Sequence, residues 1–172
     1  QWDYIEPLLF GYAAGKVIES YVDNFCTSTD KVVAHFHEWM TSSGGLYLRK
    51  HSPYVASCFT THATVMGRCL AGNGFPLYGD LERFNADEKA RQFNVMAKHS
   101  LEKVAAAYHD AFLTVSDITA RECQYLLGRE VDMVTPNGFE NDFVWKDKEF
   151  EVKRKEARKQ MIEVAEACLG TK

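Results

Sequence analysis

The sequence predicts an α/β protein, a parallel sheet with helices on both faces. Three observations lead there. Short runs rich in Val and Phe alternate with longer segments of helical periodicity. Each run connects to the next through a helical segment instead of a hairpin turn, which requires parallel strands with crossover helices. Each run also gives way to polar residues, as strands do where they enter loops. At 172 residues, 46% hydrophobic and 26% charged, the chain is long enough for one domain with a substantial core. A net charge of -4 gives no global attraction for polyanions, so neither nucleic acid nor an anionic membrane is expected as a partner.

The elements follow in order. Ile5, Leu8, Leu9, Tyr12, Ala13, Val17 and Tyr21 recur at helical spacing over residues 3 to 25, and the polar turn CTSTD stops that helix. Strands are expected at about 31 to 36, 54 to 60, 111 to 115 and 131 to 135. A helix through Trp39 and Leu48 follows the first. Residues 71 to 84, AGNGFPLYGDLERF, hold three glycines and a proline and read as a loop. From Asn85 or Asp87 as N-cap, one long helix is expected to run to Asp110, with Phe93, Met96, Leu101, Val104 and Tyr108 near one face. Ser116 or Asp117 can cap the helix ITARECQYLLG, which Gly128 closes.

The amino terminus carries Asp3 and Glu6 where a signal peptide is basic, and its apolar stretch is too short and interrupted to span a bilayer. The five cysteines are odd in number, widely spaced and without C-x-x-C, the pattern of reduced thiols in a cytoplasmic protein.

KVVAHFHEW places His35 and His37 on one side of a strand, with Glu38 directly after them. Zinc requires three or four ligands, and although His62 or His99 could add a third, no spacing demands it, so no metal is expected and His35 reads as a buried histidine with its polar groups satisfied by backbone. HFHE, TTHAT, TVSD and TPNG all place polar side chains where an apolar strand ends. In doubly wound sheets that rim is where ligands bind, since the strand-to-helix loops converge there.

VVAHFHEW, FTTHATVMGR, NADEKARQF, FLTVSDITARE and DMVTPNGFE, in this order and spacing, resemble the N-terminal domain of glycogen synthases of the animal and fungal type. That family consists of retaining glycosyltransferases with two Rossmann-like domains, the GT-B architecture. The resemblance implies that His62 lies at the glucosyl group of the sugar nucleotide, with Arg68 near it. Asn137 contacts the sugar as well, and Glu38 stands on the acceptor side. His62, Glu38 and Asn137 are thus the catalytic candidates, and His62, Arg68 and Asn137 the substrate-binding ones. It further implies a sugar nucleotide donor, UDP-glucose favoured, an α-1,4-glucan acceptor, no cofactor, a cytoplasmic location and a homo-oligomeric parent.

These residue types suit the chemistry. Retaining glucosyl transfer passes through an oxocarbenium-like state, so hydroxyls must be held by oriented donors and acceptors while the leaving diphosphate is neutralised. The imidazole of His62 and the amide of Asn137 can hold hydroxyls, Glu38 can orient the acceptor, and Arg68 can offset negative charge.

No initiator methionine and no Gly-rich loop before residue 30 are seen, so the chain is expected to be a segment of a longer enzyme and inactive alone. Residues 1–145 then form the partial Rossmann-like domain, and 146–172 a charged helix leading onward. The opposing expectation is a non-catalytic α/β module that binds carbohydrate or a partner.

Overall fold

The computed structural model describes residues 2–140 and 144–170. Two compact units are present, Gln1–Pro136 and Asn137–Lys172. The first holds a four-stranded parallel sheet flanked by helices. Its strands are β1 (Val33–His37), β2 (Ala56–Thr61), β3 (Ala111–Thr114) and β4 (Met133–Val134), in that spatial order. All three pairings are parallel, as the helical connections require. The strand ends differ from the expected ones by two residues or fewer.

The register aligns Phe36 with Phe59 and Phe59 with Phe112. The Phe59 and Phe112 rings stack with centroids 5.6 Å apart. Together with Ala34, Leu48, Ala105, Ala106 and Leu127 they form the main core. On the opposite face the edge residues Val33 and Met133 are exposed.

Helix α1 (Ile5–Phe25) packs on α2 (Glu38–His51), and α2 on α6 (Met96–Tyr108). The buried positions of α1 are Gly11, Gly15 and Val22, whereas Leu9, Tyr12, Val17 and Tyr21 are exposed. The apolar spacing correctly marks a helix, but its contact line is drawn by glycines, which let two backbones approach.

The segment expected to be a loop is largely helical. After α3 (Val65–Gly72) come α4 (Leu77–Asp80) and a 3₁₀ turn, Leu81–Arg83. Leu70, Leu77 and Leu81 bury together in a second apolar cluster, and that burial folds a Gly-rich stretch into short turns.

The long helix predicted from Asn85 is two helices, α5 (Ala86–Gln92) and α6. Asn85 is the N-cap, its side chain accepting from the Glu88 N–H. The break lies at Asn94, which adopts φ 56°. Val95 N–H reaches the Ala90 carbonyl at 2.9 Å and Asn94 N–H the Arg91 carbonyl at 3.1 Å, a Schellman stop with Asn at the left-handed position. The break resets the helical phase. Val104 and Tyr108 are exposed, and α6 buries His99, Glu102, Ala105 and Ala106 instead.

Helix α7 (Asp117–Glu122) starts at Ser116, whose hydroxyl accepts from the Thr119 N–H at 3.2 Å. It continues as a π-helical turn, Cys123–Leu127, closed by Gly128 at φ 75°. The second unit consists mainly of α8 (Asp147–Leu169), where Glu151 pairs with Arg154 and Lys153 with Glu156 along one exposed helix. No helix among the described residues is long and apolar enough to cross a membrane.

Candidate active site

Strand β1 passes directly into α2. His37 is the last strand residue and Glu38 the first helical one, at φ 64°. A non-glycine residue in this left-handed region costs about 1–2 kcal/mol, and such strain concentrates at functional sites. The turn brings the Glu38 carboxylate to the end of the neighbouring strand, where Oε1 accepts the His62 main-chain N–H at 2.9 Å. The ends of β1 and β2 are thereby tied side chain to backbone.

His62 is half-buried, and its Nε2 lies 3.1 Å from Nδ1 of His37. One of these nitrogens carries the shared proton, so His37 restricts the ring orientation of His62. His35 stacks beside His37 at 4.2 Å between centroids, and its Nε2 meets Thr60 Oγ1 at 2.7 Å. Desolvation, then the neighbouring His35 and His62, hold His37 below the usual imidazole range, against the opposing charge of Glu38.

His35 and His37 are both exposed, which corrects the buried reading of His35. The alternation of β1 sends Ala34 and Phe36 into the core, so the odd-numbered positions point the other way. The partner of His35 is a cross-strand hydroxyl and not backbone. Among the described residues, no group of three or more His, Cys, Asp or Glu side chains is placed to hold a metal ion.

The segment carrying His62 is anchored from below by two buried acids. Glu102 Oε2 accepts the Val65 N–H at 2.9 Å, and Oε1 lies 3.2 Å from Thr61 Oγ1. Glu122 Oε2 accepts the Thr64 hydroxyl at 2.9 Å, while Oε1 accepts the Tyr78 hydroxyl at 2.9 Å. Thr64 Oγ1 in turn accepts from the Gly67 N–H and caps α3.

Of the four residues predicted from sequence, Glu38 and His62 are brought into contact. Arg68 lies in α3 with its side chain exposed, and no acid among the described residues pairs with it. Asn137 begins the second unit and is exposed. Glu102, Glu122 and His37 were not anticipated in these roles. A signal for Glu102 was present, since it sits three and four residues before Ala105 and Ala106, on the small-residue face of its helix.

A parallel sheet with polar loops gathered where its strands end is the Rossmann-like arrangement, which takes ligands at that rim. The chain belongs to the glycogen synthase family, whose model, described as Glycogen synthase, matches residues 3–164. It is 38% identical over 137 residues to the glycogen [starch] synthase of Dictyostelium discoideum, covering 80% of this chain and 15% of that protein. The Neurospora crassa glycogen [starch] synthase is 37% identical over 134 residues, covering 77% of this chain and 19% of its own length. The human liver glycogen [starch] synthase is 35% identical over 133 residues, with coverage of 77% and 19%. The chain thus spans 15–19% of the length of these relatives.

Proposed function

We propose that this chain supplies one wall of the active site of a glycogen synthase. The enzyme transfers glucose from a sugar nucleotide to the non-reducing 4-hydroxyl of an α-1,4-glucan, with retention of configuration. UDP-glucose is the favoured donor, because the resemblance is to the animal and fungal type. The observation that carries the reading is the Glu38–His62 contact across the ends of β1 and β2, made by two residues that the motif resemblance assigns to the site. His62 holds a hydroxyl of the transferred glucose, with Arg68 offsetting negative charge nearby. The family resemblance assigns Asn137 to the sugar as well and Glu38 to the glucan acceptor. Residues 1–145 act as the partial Rossmann-like domain, and 146–172 as the helix leading out of it. The complete enzyme works in the cytoplasm as a homo-oligomer, without a cofactor.

Glu38→Gln in the complete enzyme tests this division of labour. Glutamine can still accept the His62 N–H, so the loop stays tied while the charge is lost. The expected result is a fall in transfer to glucan of about tenfold or more, with the slow hydrolysis of sugar nucleotide largely retained. Equal loss of both rates would remove Glu38 from the acceptor side. Full retention of both would favour a binding module over a catalytic wall.

A further inference from the structure

Glu102 is fully buried, and the hydrogens around it can be counted. Thr61 Oγ1 lies 3.2 Å from Glu102 Oε1 and 3.2 Å from the carbonyl oxygen of Ala63. A hydroxyl has one proton, and the carbonyl can only accept. With Glu102 ionised, two acceptors compete for that proton, and either the buried carboxylate or the half-buried Ala63 carbonyl goes short, which is costly. With Glu102 protonated the chain closes. Its carboxyl O–H donates to Thr61, Thr61 donates to the Ala63 carbonyl, and the other carboxyl oxygen still accepts the Val65 N–H. Residues 61, 63 and 65 flank His62 on both sides.

We propose that Glu102 is kept protonated at neutral pH as a hydrogen-bond donor, a positioning residue that fixes the His62 segment and releases it on ionising at alkaline pH. This rests on the reading of His62 as a sugar-contacting residue. The titratable groups facing the carboxyl from the packed elements are Glu38 of α2, Glu122 of α7 and Cys123 of the π-helical turn. Two of them are acids that disfavour a further negative charge. Burial, opposed by the Val65 N–H and by the Thr61 hydroxyl when it turns its proton to the carboxylate, and aided by those acids, pushes the Glu102 carboxyl up to about 8. The folded protein therefore keeps a proton that the unfolded chain releases from the ordinary value of 4.5 upward. Glu102 makes stability fall as pH rises through that window, with its contribution fully present below it and lost above the folded value.

Glutamine imitates the neutral acid, with a carbonyl for Val65 and an N–H for Thr61. Glu102→Gln in the complete enzyme is expected to keep kcat at pH 7 within about threefold, and to retain activity above pH 8 where the parent declines. Glu102→Ala is expected to lose about tenfold or more in kcat with little change in KM for the sugar nucleotide. Infrared difference spectra of the complete enzyme against its Glu102→Gln variant at pH 7 should show one protonated carboxyl band that the variant lacks. Denaturant midpoints should separate in favour of the variant as pH rises toward 8. An ionised carboxylate at pH 7 overturns the proton assignment. A Glu102→Ala enzyme with parental kcat, or a glutamine variant as impaired as the alanine one, overturns the positioning. The infrared and unfolding measurements need no substrate, so they are independent of the glucosyl-transfer reading, which His62→Ala tests.

Discussion

Replacing His62 by alanine in the complete enzyme is expected to lower transfer by on the order of a hundred- to thousand-fold, about 2.7 to 4 kcal/mol of transition-state stabilisation. The loss should fall on turnover more than on donor affinity. A polar contact to the glucosyl group strengthens as charge and ring shape change, which happens when the glycosidic bond breaks. His62 is already held at its main-chain N–H by the Glu38 carboxylate and at its ring Nε2 by His37 Nδ1. Little reorganisation remains to be done at the moment of reaction. Asn137→Ala is expected to behave similarly, since it is assigned to the same sugar. The measurement is steady-state transfer and donor hydrolysis, with circular dichroism to confirm folding. Near-native transfer in both variants would remove the site proposed here.

The second large effect is on stability. A Cβ on Gly44 would lie 2.5 Å from the Gly11 carbonyl oxygen and 2.6 Å from Cε1 of Phe36. A Cβ on Gly15 would lie 2.8 Å from the Gly44 carbonyl oxygen. The obstacles are largely backbone and a core ring, so α1 and α2 must separate to admit a side chain. Gly44→Val is expected to destabilise by about 3 kcal/mol, the upper part of the range for overpacked cores. Gly72 is the internal comparison. It is helical, has ordinary φ and meets nothing within 4 Å, so Gly72→Ala should be neutral or stabilising by up to about 1 kcal/mol. Urea midpoints of the two variants test the contrast, and similar shifts for both would contradict close helix packing.

The parallel sheet was legible because strand and helix periods differ and the connections between strands leave no room for hairpins. Ser116 and Gly128 were legible as helix signals because their chemistry is local. Asn94 is also local, but an asparagine in a helical pattern reads as a weak helix former until its left-handed φ is seen. The contact line of α1 was hidden for a different reason. Glycine contributes no apolar side chain to a periodicity, so a face built on close backbone approach is silent to it. Glu38 and His62 were visible through family motifs, whereas their bond depends on β1 and β2 being neighbours in register. Glu102 and Glu122 were hardest to find. A buried acid differs from a surface one by its tertiary surroundings, and those come from segments far apart in the chain.

Strand order and chain order coincide in this sheet, β1 to β4. Each of β2 to β4 therefore adds to an edge formed by the strand before it, and no pairing among the described strands has to wait for a later part of the sequence. During synthesis, β1, α2 and β2 can associate before β3 has been made, and β3 then meets a ready template. The closure entropy of each step is that of one connecting segment. The His62 segment acquires its Glu38 bond at the first of these steps and its Glu102 and Glu122 anchors at later ones, so the wall proposed for the active site matures in the direction of translation.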